Sequence, residues 1–289
     1  MKALITGAGG QLAAELARAA PAGWSVSALS RGALDIGDAD AVARTVEALA
    51  PDLILNAAAY TAVDRAESEP RAAFRANRDG PAHLARAAVA AGSRLIHVST
   101  DFVFDGGGGR AWRPDDATAP LGVYGASKLA GERAVAAAAP GALIVRTAWV
   151  YAAHGANFVR TMLRLMGERP EVRVVADQIG APTSAPTLAA ALWALASTDA
   201  RGILHYTDSG VASWYDFAVA IAEEAGALGL IAGVPSVVPI ATADWPTPAR
   251  RPAFSVLDTT QTTRRLGRAG PHWRAALRVV LGEIAGAPP

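Results

Sequence analysis

The stretch KALITGAGGQLAAEL, residues 2–16, constrains the fold more than any other part of this chain. It passes from a short apolar run, through a glycine-rich turn, directly into an alanine-rich segment with helical propensity. Gly7, Gly10 and Ala13 stand at the three small positions of a dinucleotide-binding turn. The first allows the tight turn, the second allows the backbone to approach a pyrophosphate, and the third lets helix meet sheet. The amides at the start of the following helix then face the phosphate charge. A glycine pattern alone is a weak signal, but here it opens a strand–helix–strand run, the context that predicts a nucleotide site rather than an ordinary turn.

The same alternation continues down the chain. Apolar runs at Lys2 to Thr6, Ser25 to Leu29, Leu53 to Asn56, Leu95 to Ser99 and Leu143 to Arg146 read as strands. Alanine-rich segments near 11–20, 38–50, 71–91 and 124–139 read as the helices between them. That order predicts an α/β fold, a Rossmann-like doubly wound parallel sheet. Beyond about residue 150 the alternation loosens, with helices expected near 157–167, 184–197 and 213–226, a strand at Arg173 to Val175, and a proline-rich stretch at 235–252. The expected division is a nucleotide-binding domain over 1–150 and a smaller C-terminal α/β substrate domain over 151–289, with some segments returning to the first domain. The segment DGGGGRAWRPDDATAP, 105–120, is too long for a plain connection and is read as a loop beside a site.

Composition narrows the function classes. With 289 residues, 52% hydrophobic and 18% charged, the chain is able to bury a sizeable core. A net charge of +1, with both signs scattered, gives no basic stripe for nucleic acid. The absence of cysteine excludes disulfides, thiolate metal sites and cysteine nucleophiles. No apolar run approaches the roughly 20 residues of a membrane span, and the N-terminus lacks the layout of an export signal. A cytoplasmic protein that binds neither nucleic acid nor membrane is expected.

The ends of the strands carry the candidate chemistry, because open α/β sheets bind ligands there. After the second strand come Ser30 and Arg31, an arginine without the carboxylate that would hold a ribose 2′-hydroxyl. This favours a 2′-phosphate, hence NADPH over NADH. Asp35 and Ile36 follow, suited to an adenine amino group and ring. Ala57, Ala58 and Ala59 let backbone lie against a flat cofactor, and RLIHVSTDFVFDG brings Ser99, Thr100 and Asp101 to the same edge. In VYGASKLAGERAV, Tyr124 and Lys128 are four apart and so share one helix face. An ammonium there would favour the ionised tyrosine and lower its pKa, turning a poor proton donor into a useful one.

The strings TGAGGQLA, NAAA, STDFVFDG and YGASK together resemble the extended short-chain dehydrogenase/reductase family. LNAAAYTAVDRAESEP, PLGVYGASKLAGE, RTAWVY and DQIGAPT narrow the likeness, over Met1 to about Pro252, to members that reduce the C4 ketone of a dTDP-linked 6-deoxyhexulose to dTDP-L-rhamnose. The resemblance implies a dTDP-sugar substrate lying between two domains and NAD(P)H as reductant. It implies Tyr124 as proton donor, Lys128 tuning it and holding the nicotinamide ribose, and Thr100 bonding the carbonyl. It places Gly10, Gln11, Leu12, Asp35, Ile36, Ala59, Tyr60, Thr61 and Val98 along the cofactor, and Asp101 and Trp149 on the sugar nucleotide. Asn157 and the pair Arg250 and Arg251 are candidates for the diphosphate, although Asn157 also suits a helix cap.

Departures are few. Ala13 replaces a frequent glycine, and Phe102 stands where a tyrosine often follows the STD triplet. Some relatives bind magnesium at a dimer contact built from glutamates, and Glu15 stands at a matching position, which leaves Mg2+ and a homodimer open. A lone glutamate on a helix is usually solvated, and magnesium wants several oxygens. Histidines at 83, 97, 154, 205 and 272 lack ligand spacing, so no catalytic metal is expected. Two other readings compete: a reductase or epimerase of another nucleotide-sugar, and a non-catalytic NADP-binding regulatory subunit of a methionine adenosyltransferase. An intact Thr100, Tyr124 and Lys128 argue against the second.

Overall fold

Strands and helices alternate through the first half of the chain, which a computed structural model describes over residues 1–286. In order come β1 (Lys2–Ala8), α1 (Gln11–Arg18), β2 (Ser25–Ser30), α2 (Ala39–Leu49), β3 (Leu53–Asn56), α3 (Val63–Ser68), α4 (Pro70–Phe74), α5 (Gly80–Ala91), β4 (Arg94–Thr100), α6 (Val123–Ala138) and β5 (Leu143–Thr147). The second half holds β6 (Val150–Tyr151), α7 (Phe158–Glu168), β7 (Glu171–Val175), β8 (Ile179–Gly180), β9 (Thr183–Ser184), α8 (Ala185–Ala196), β10 (Gly202–His205), β11 (Ala212–Ser213), α9 (Trp214–Ala227), β12 (Ser236–Ile240), α10 (Thr260–Leu266) and α11 (Trp273–Ile284).

Six strands pair in parallel in the order β10-β5-β4-β3-β1-β2. The order reverses between β1 and β3, and that reversal opens a crevice at the C-terminal edge of the sheet. Because successive side chains point to opposite faces, each strand feeds two cores. Ile5, Leu55, Ile96 and Val145 face α1 and α8 in one. Leu4, Ile54, Leu95 and Ile144 face α2, α5 and α6 in the other. Near-continuous apolar runs are what strands buried on both faces require.

The segment α8–β10 belongs to this sheet although it lies late in the chain. Trp193 donates from Nε1 to the carbonyl of Leu16 at 2.9 Å, and Arg94 donates to the carbonyls of Leu195, Ala196, Thr198 and Ala200 at the end of α8. A third core, with Val159, Met162, Phe217, Ile221, Trp273 and Leu277, joins α7, α9 and α11 to the parallel pair β7–β12.

Three readings of the sequence are corrected. Residues 71–91 run as continuous helical backbone but not as a regular α-helix: a π-turn at Arg75–Asp79 stands between α4 and α5. Pro81 has no N–H to meet the carbonyl of Asn77, as a regular helix would require. The proline-rich stretch 235–252 contains a strand, β12, with Pro239 inside it. A two-stranded pair has a free edge on each strand, where a missing N–H costs little. Finally, no residue of 105–120 lines either main cavity. That loop instead closes over the far side of β5, where Pro114 accepts from Arg146 and Trp112 stacks on Phe104 with centroids 4.6 Å apart.

Candidate active site

The crevice is a cleft of about 980 Å³ along the strand ends. Its floor is the first turn. Gly7 has φ +83°, and a Cβ there would stand 2.8 Å from the backbone of Ala58, so neither the conformation nor the space admits a side chain. Gly10 caps α1, leaving the free amides of Gln11, Leu12 and Ala13 at the cleft. This glycine cradle fits a dinucleotide pyrophosphate, which needs close backbone and unpaired N–H donors. Below it a buried polar chain fixes the strand ends: Thr6 Oγ1 donates to Asn56 Oδ1 at 2.7 Å, and Asn56 Nδ2 meets His97 Nδ1 at 2.9 Å. Burial and the Lys128 charge hold His97 neutral, so Nδ1 is the acceptor.

At one end of the cleft lie Arg31, Asp35 and Ile36. Burial tends to raise the Asp35 carboxyl, but the Gly37 N–H and Arg75, each bonded to it, carry it below the usual range, helped by the charge of Arg31. Ser30 is exposed at the end of β2 and does not line the cleft. The middle is walled by Ala57, Ala58, Ala59, Tyr60 and Thr61. The Tyr60 hydroxyl is turned away to Glu69 at 2.7 Å.

Val98, Thr100, Asp101, Tyr124 and Lys128 meet at the inner end. Tyr124 and Lys128 sit one turn apart at the start of α6. Lys128 is buried, donates to the Val98 carbonyl at 2.6 Å, and is pushed by burial down to about 8, with Glu132 opposing. Burial pushes the Tyr124 hydroxyl up to about 12, a hydrogen bond with Thr100 pulls it back, and the charge of Asp101 raises it. The expectation that Lys128 lowers the tyrosine is therefore not met in this structure, where burial outweighs the other influences. Asp101, 1% exposed, is itself raised to about 6 by burial, against hydroxyls of Ser255 and Thr100. Thr100 donates to its Oδ1 at 3.0 Å, while Oδ2 has no partner.

Residues without an obvious sequence signal hold this end in place. Asn77, in the π-turn, donates to Ser127 Oγ at 3.0 Å and accepts from the Tyr60 amide at 2.8 Å; Ser127 donates on to the Tyr124 carbonyl. Ser99 lines the cleft, but its hydroxyl is turned into the protein. Its hydroxyl donates to Glu132 at 2.5 Å, and Glu132 is paired with Arg146 by bonds of 2.8 and 2.9 Å in a site almost closed to solvent.

A second cavity of about 560 Å³ opens beyond, and Phe102, Trp149, Trp214 and Arg251 line both spaces. Arg251 is gripped by Asp64 through bonds of 2.9 and 3.1 Å, whereas Arg250 is exposed and lines neither cavity. Asn157 caps α7 by accepting from Arg160, and its amide hydrogens already go to Gln11, Ala152 and His154. Glu15 is buried rather than solvated, with Arg18 at 2.5 Å and His154 at 3.4 Å. Among the described residues no group of acidic or histidine side chains has the arrangement to hold a metal ion.

A glycine-cradled cleft at the switch point of a parallel sheet, with Tyr124 and Lys128 facing its inner end, defines a dinucleotide-dependent fold of the short-chain dehydrogenase/reductase type. The chain belongs to the family described as RmlD substrate binding domain, whose model matches residues 1–285. It is 44% identical over 283 residues to a dTDP-4-dehydrorhamnose reductase of Aggregatibacter actinomycetemcomitans, covering 95% of this chain and 96% of the relative. It is 46% identical over 289 residues to a protein of the same name from Mycobacterium tuberculosis strain H37Rv, covering 98% and 93%. Among solved structures, the dTDP-4-dehydrorhamnose reductase of Bacillus anthracis in complex with NADP superposes with a TM-score of 0.93 at 35% identity, over 98% of this chain and 99% of that one.

Proposed function

We propose that this protein is an NADPH-dependent oxidoreductase that reduces the C4 ketone of dTDP-4-dehydrorhamnose to the alcohol, giving dTDP-L-rhamnose. The observation that carries the reading is the meeting of Thr100, Tyr124 and Lys128 where the glycine-cradled cleft opens into the second cavity. A dinucleotide in the first and a nucleotide-sugar in the second would present their reacting ends to these three side chains.

Bound NADPH supplies the hydride equivalent that turns the ketone carbon into a secondary alcohol. The chain's own work is on the oxygen. As charge builds there, Thr100 turns its hydroxyl proton from Asp101 to the oxygen and shares the charge, while Tyr124 gives up its proton to complete the alcohol. The high pKa of Tyr124 keeps that proton in place through the neutral range. The ammonium of Lys128, held by Val98, stabilises the tyrosinate left behind and offers its other N–H groups to ribose hydroxyls. The Asn77–Ser127 bonds hold the first turn of α6, and with it Tyr124, at a fixed distance from Thr100. The indoles of Trp149 and Trp214 exclude water at the boundary between the two spaces.

NADPH oxidation followed at 340 nm, with dTDP-4-dehydrorhamnose as substrate and identification of the sugar product, tests the reading. Formation of dTDP-L-rhamnose supports it. Binding of NADPH without turnover of this sugar would refute it.

A further inference from the structure

Arg75 has no place in the reading of the sequence and no part in the chemistry at the inner end, yet it lines the cleft at the end marked by Arg31, Asp35 and Ile36. It stands at the head of the π-turn, with Ala72 and Ala76 beside it in the cleft wall. Those small neighbours leave the guanidinium uncovered; its side chain is 47% exposed. Nη1 donates to Asp35 Oδ2 at 2.8 Å, and the Gly37 amide donates to Oδ1 at 2.9 Å. The remaining guanidinium hydrogens, on Nε and Nη2, meet no acceptor in the protein among the described residues.

Among the described residues, Asp35 is the one carboxylate lining this end of the cleft. Unpaired, its charge would repel a phosphate bound beside Arg31 at this end of the cleft. Arg75 and Arg31 both act on it electrostatically, so two guanidinium charges surround one carboxylate and leave one positive charge in excess. A planar guanidinium that has used one edge on a carboxylate still has an edge for a phosphate, whose oxygens match its paired N–H groups.

We propose that Arg75 is a specificity-determining residue for the cofactor: it neutralises Asp35 and, with Arg31, grips the 2′-phosphate of NADPH. The inference deepens the proposed function by one step and rests on its placement of the dinucleotide in this cleft. It makes cofactor choice the work of two arginines on different elements, one after β2 and one in the π-turn.

Calorimetric titration with NADP+, NAD+ and 2′,5′-ADP tests it independently of the sugar substrate. In Arg75→Gln the dissociation constants of NADP+ and 2′,5′-ADP should rise about tenfold or more, the worth of a charge-assisted hydrogen bond, while that of NAD+ stays within about twofold. Arg75→Lys should keep part of the discrimination, and adding Asp35→Asn to Arg75→Gln should recover some NADP+ affinity by removing the freed carboxylate. Equal weakening towards NADP+ and NAD+ would make Arg75 a packing surface for adenine and overturn the proposal, as would an unchanged NADP+ affinity. A wild-type protein that binds NADP+ while producing no dTDP-L-rhamnose would refute the sugar assignment and leave this one standing.

Discussion

The indole of Trp149 lies flat on that of Trp214, with ring centroids 3.5 Å apart and planes 5° from parallel. Trp149 follows β5 closely, Trp214 opens α9, and the pair forms the boundary shared by the two cavities. Trp149 has φ +48°, a left-handed backbone that costs a residue of this size on the order of 1–3 kcal/mol and persists only when packing demands it. The stack is that demand. Trp214→Leu should therefore raise KM for the sugar nucleotide by about five- to tenfold, the loss of an aromatic contact and its burial, with NADP+ affinity changed less than about twofold. Steady-state kinetics beside a cofactor titration measures both, and parallel losses would assign the pair to general stability.

Asp101 predicts a pH dependence of stability. Burial raises its carboxyl to about 6, so the folded protein holds this proton more tightly than the unfolded chain does. The stabilisation is fully present below the unfolded value near 4 and is lost as pH rises through about 6. Asp101→Asn cannot ionise. At pH 7 it should melt about 2–4 °C above the wild type, and the two should converge at pH 4. Scanning calorimetry at the two pH values checks this, and a constant difference would mean that Asp101 is ionised and paired throughout.

Helix α6 crosses the π-turn at its narrowest point. A Cβ on Gly131 would stand 2.0 Å from the carbonyl oxygen of Asn77, a backbone atom with nowhere to move. Gly131→Ala should destabilise the fold by about 2 kcal/mol or more, despite the better helix propensity of alanine. Because Asn77 also orients Ser127 and the Tyr124 carbonyl, kcat should fall as well at temperatures where the variant is folded. A variant as stable and as active as the wild type would show that the two helices do not meet so closely.

Much of the fold is legible in the sequence because its strands are buried on both faces. Runs such as LILN and LIVRT have no solvent side to interrupt them, and the helices between them are rich in alanine. What escapes is whatever depends on a distant partner. GILH, residues 202–205, is a four-residue run that becomes the edge of the main sheet only because β5 is there to receive it. The π-turn within 71–91 is hidden because the helical run continues through it, although Pro81 is a readable signal. The same holds at the site. Gly7, Tyr124 and Lys128 announce themselves by local spacing. Arg75, Asn77 and Arg146 acquire their roles from Asp35, Ser127 and Glu132, which stand 40, 50 and 14 positions away, and no local pattern marks them.

The central claim is that Tyr124 delivers a proton to the C4 oxygen of dTDP-4-dehydrorhamnose, and Tyr124→Phe tests it most directly. The substitution removes one hydroxyl and leaves the ring that Phe102 meets edge-on at 5.5 Å. NADPH oxidation with this sugar should fall by about 10²–10⁴-fold in kcat, the range of a positioned proton donor, while melting temperature and NADP+ affinity stay near those of the wild type. Turnover close to the wild-type rate in that variant would contradict the account.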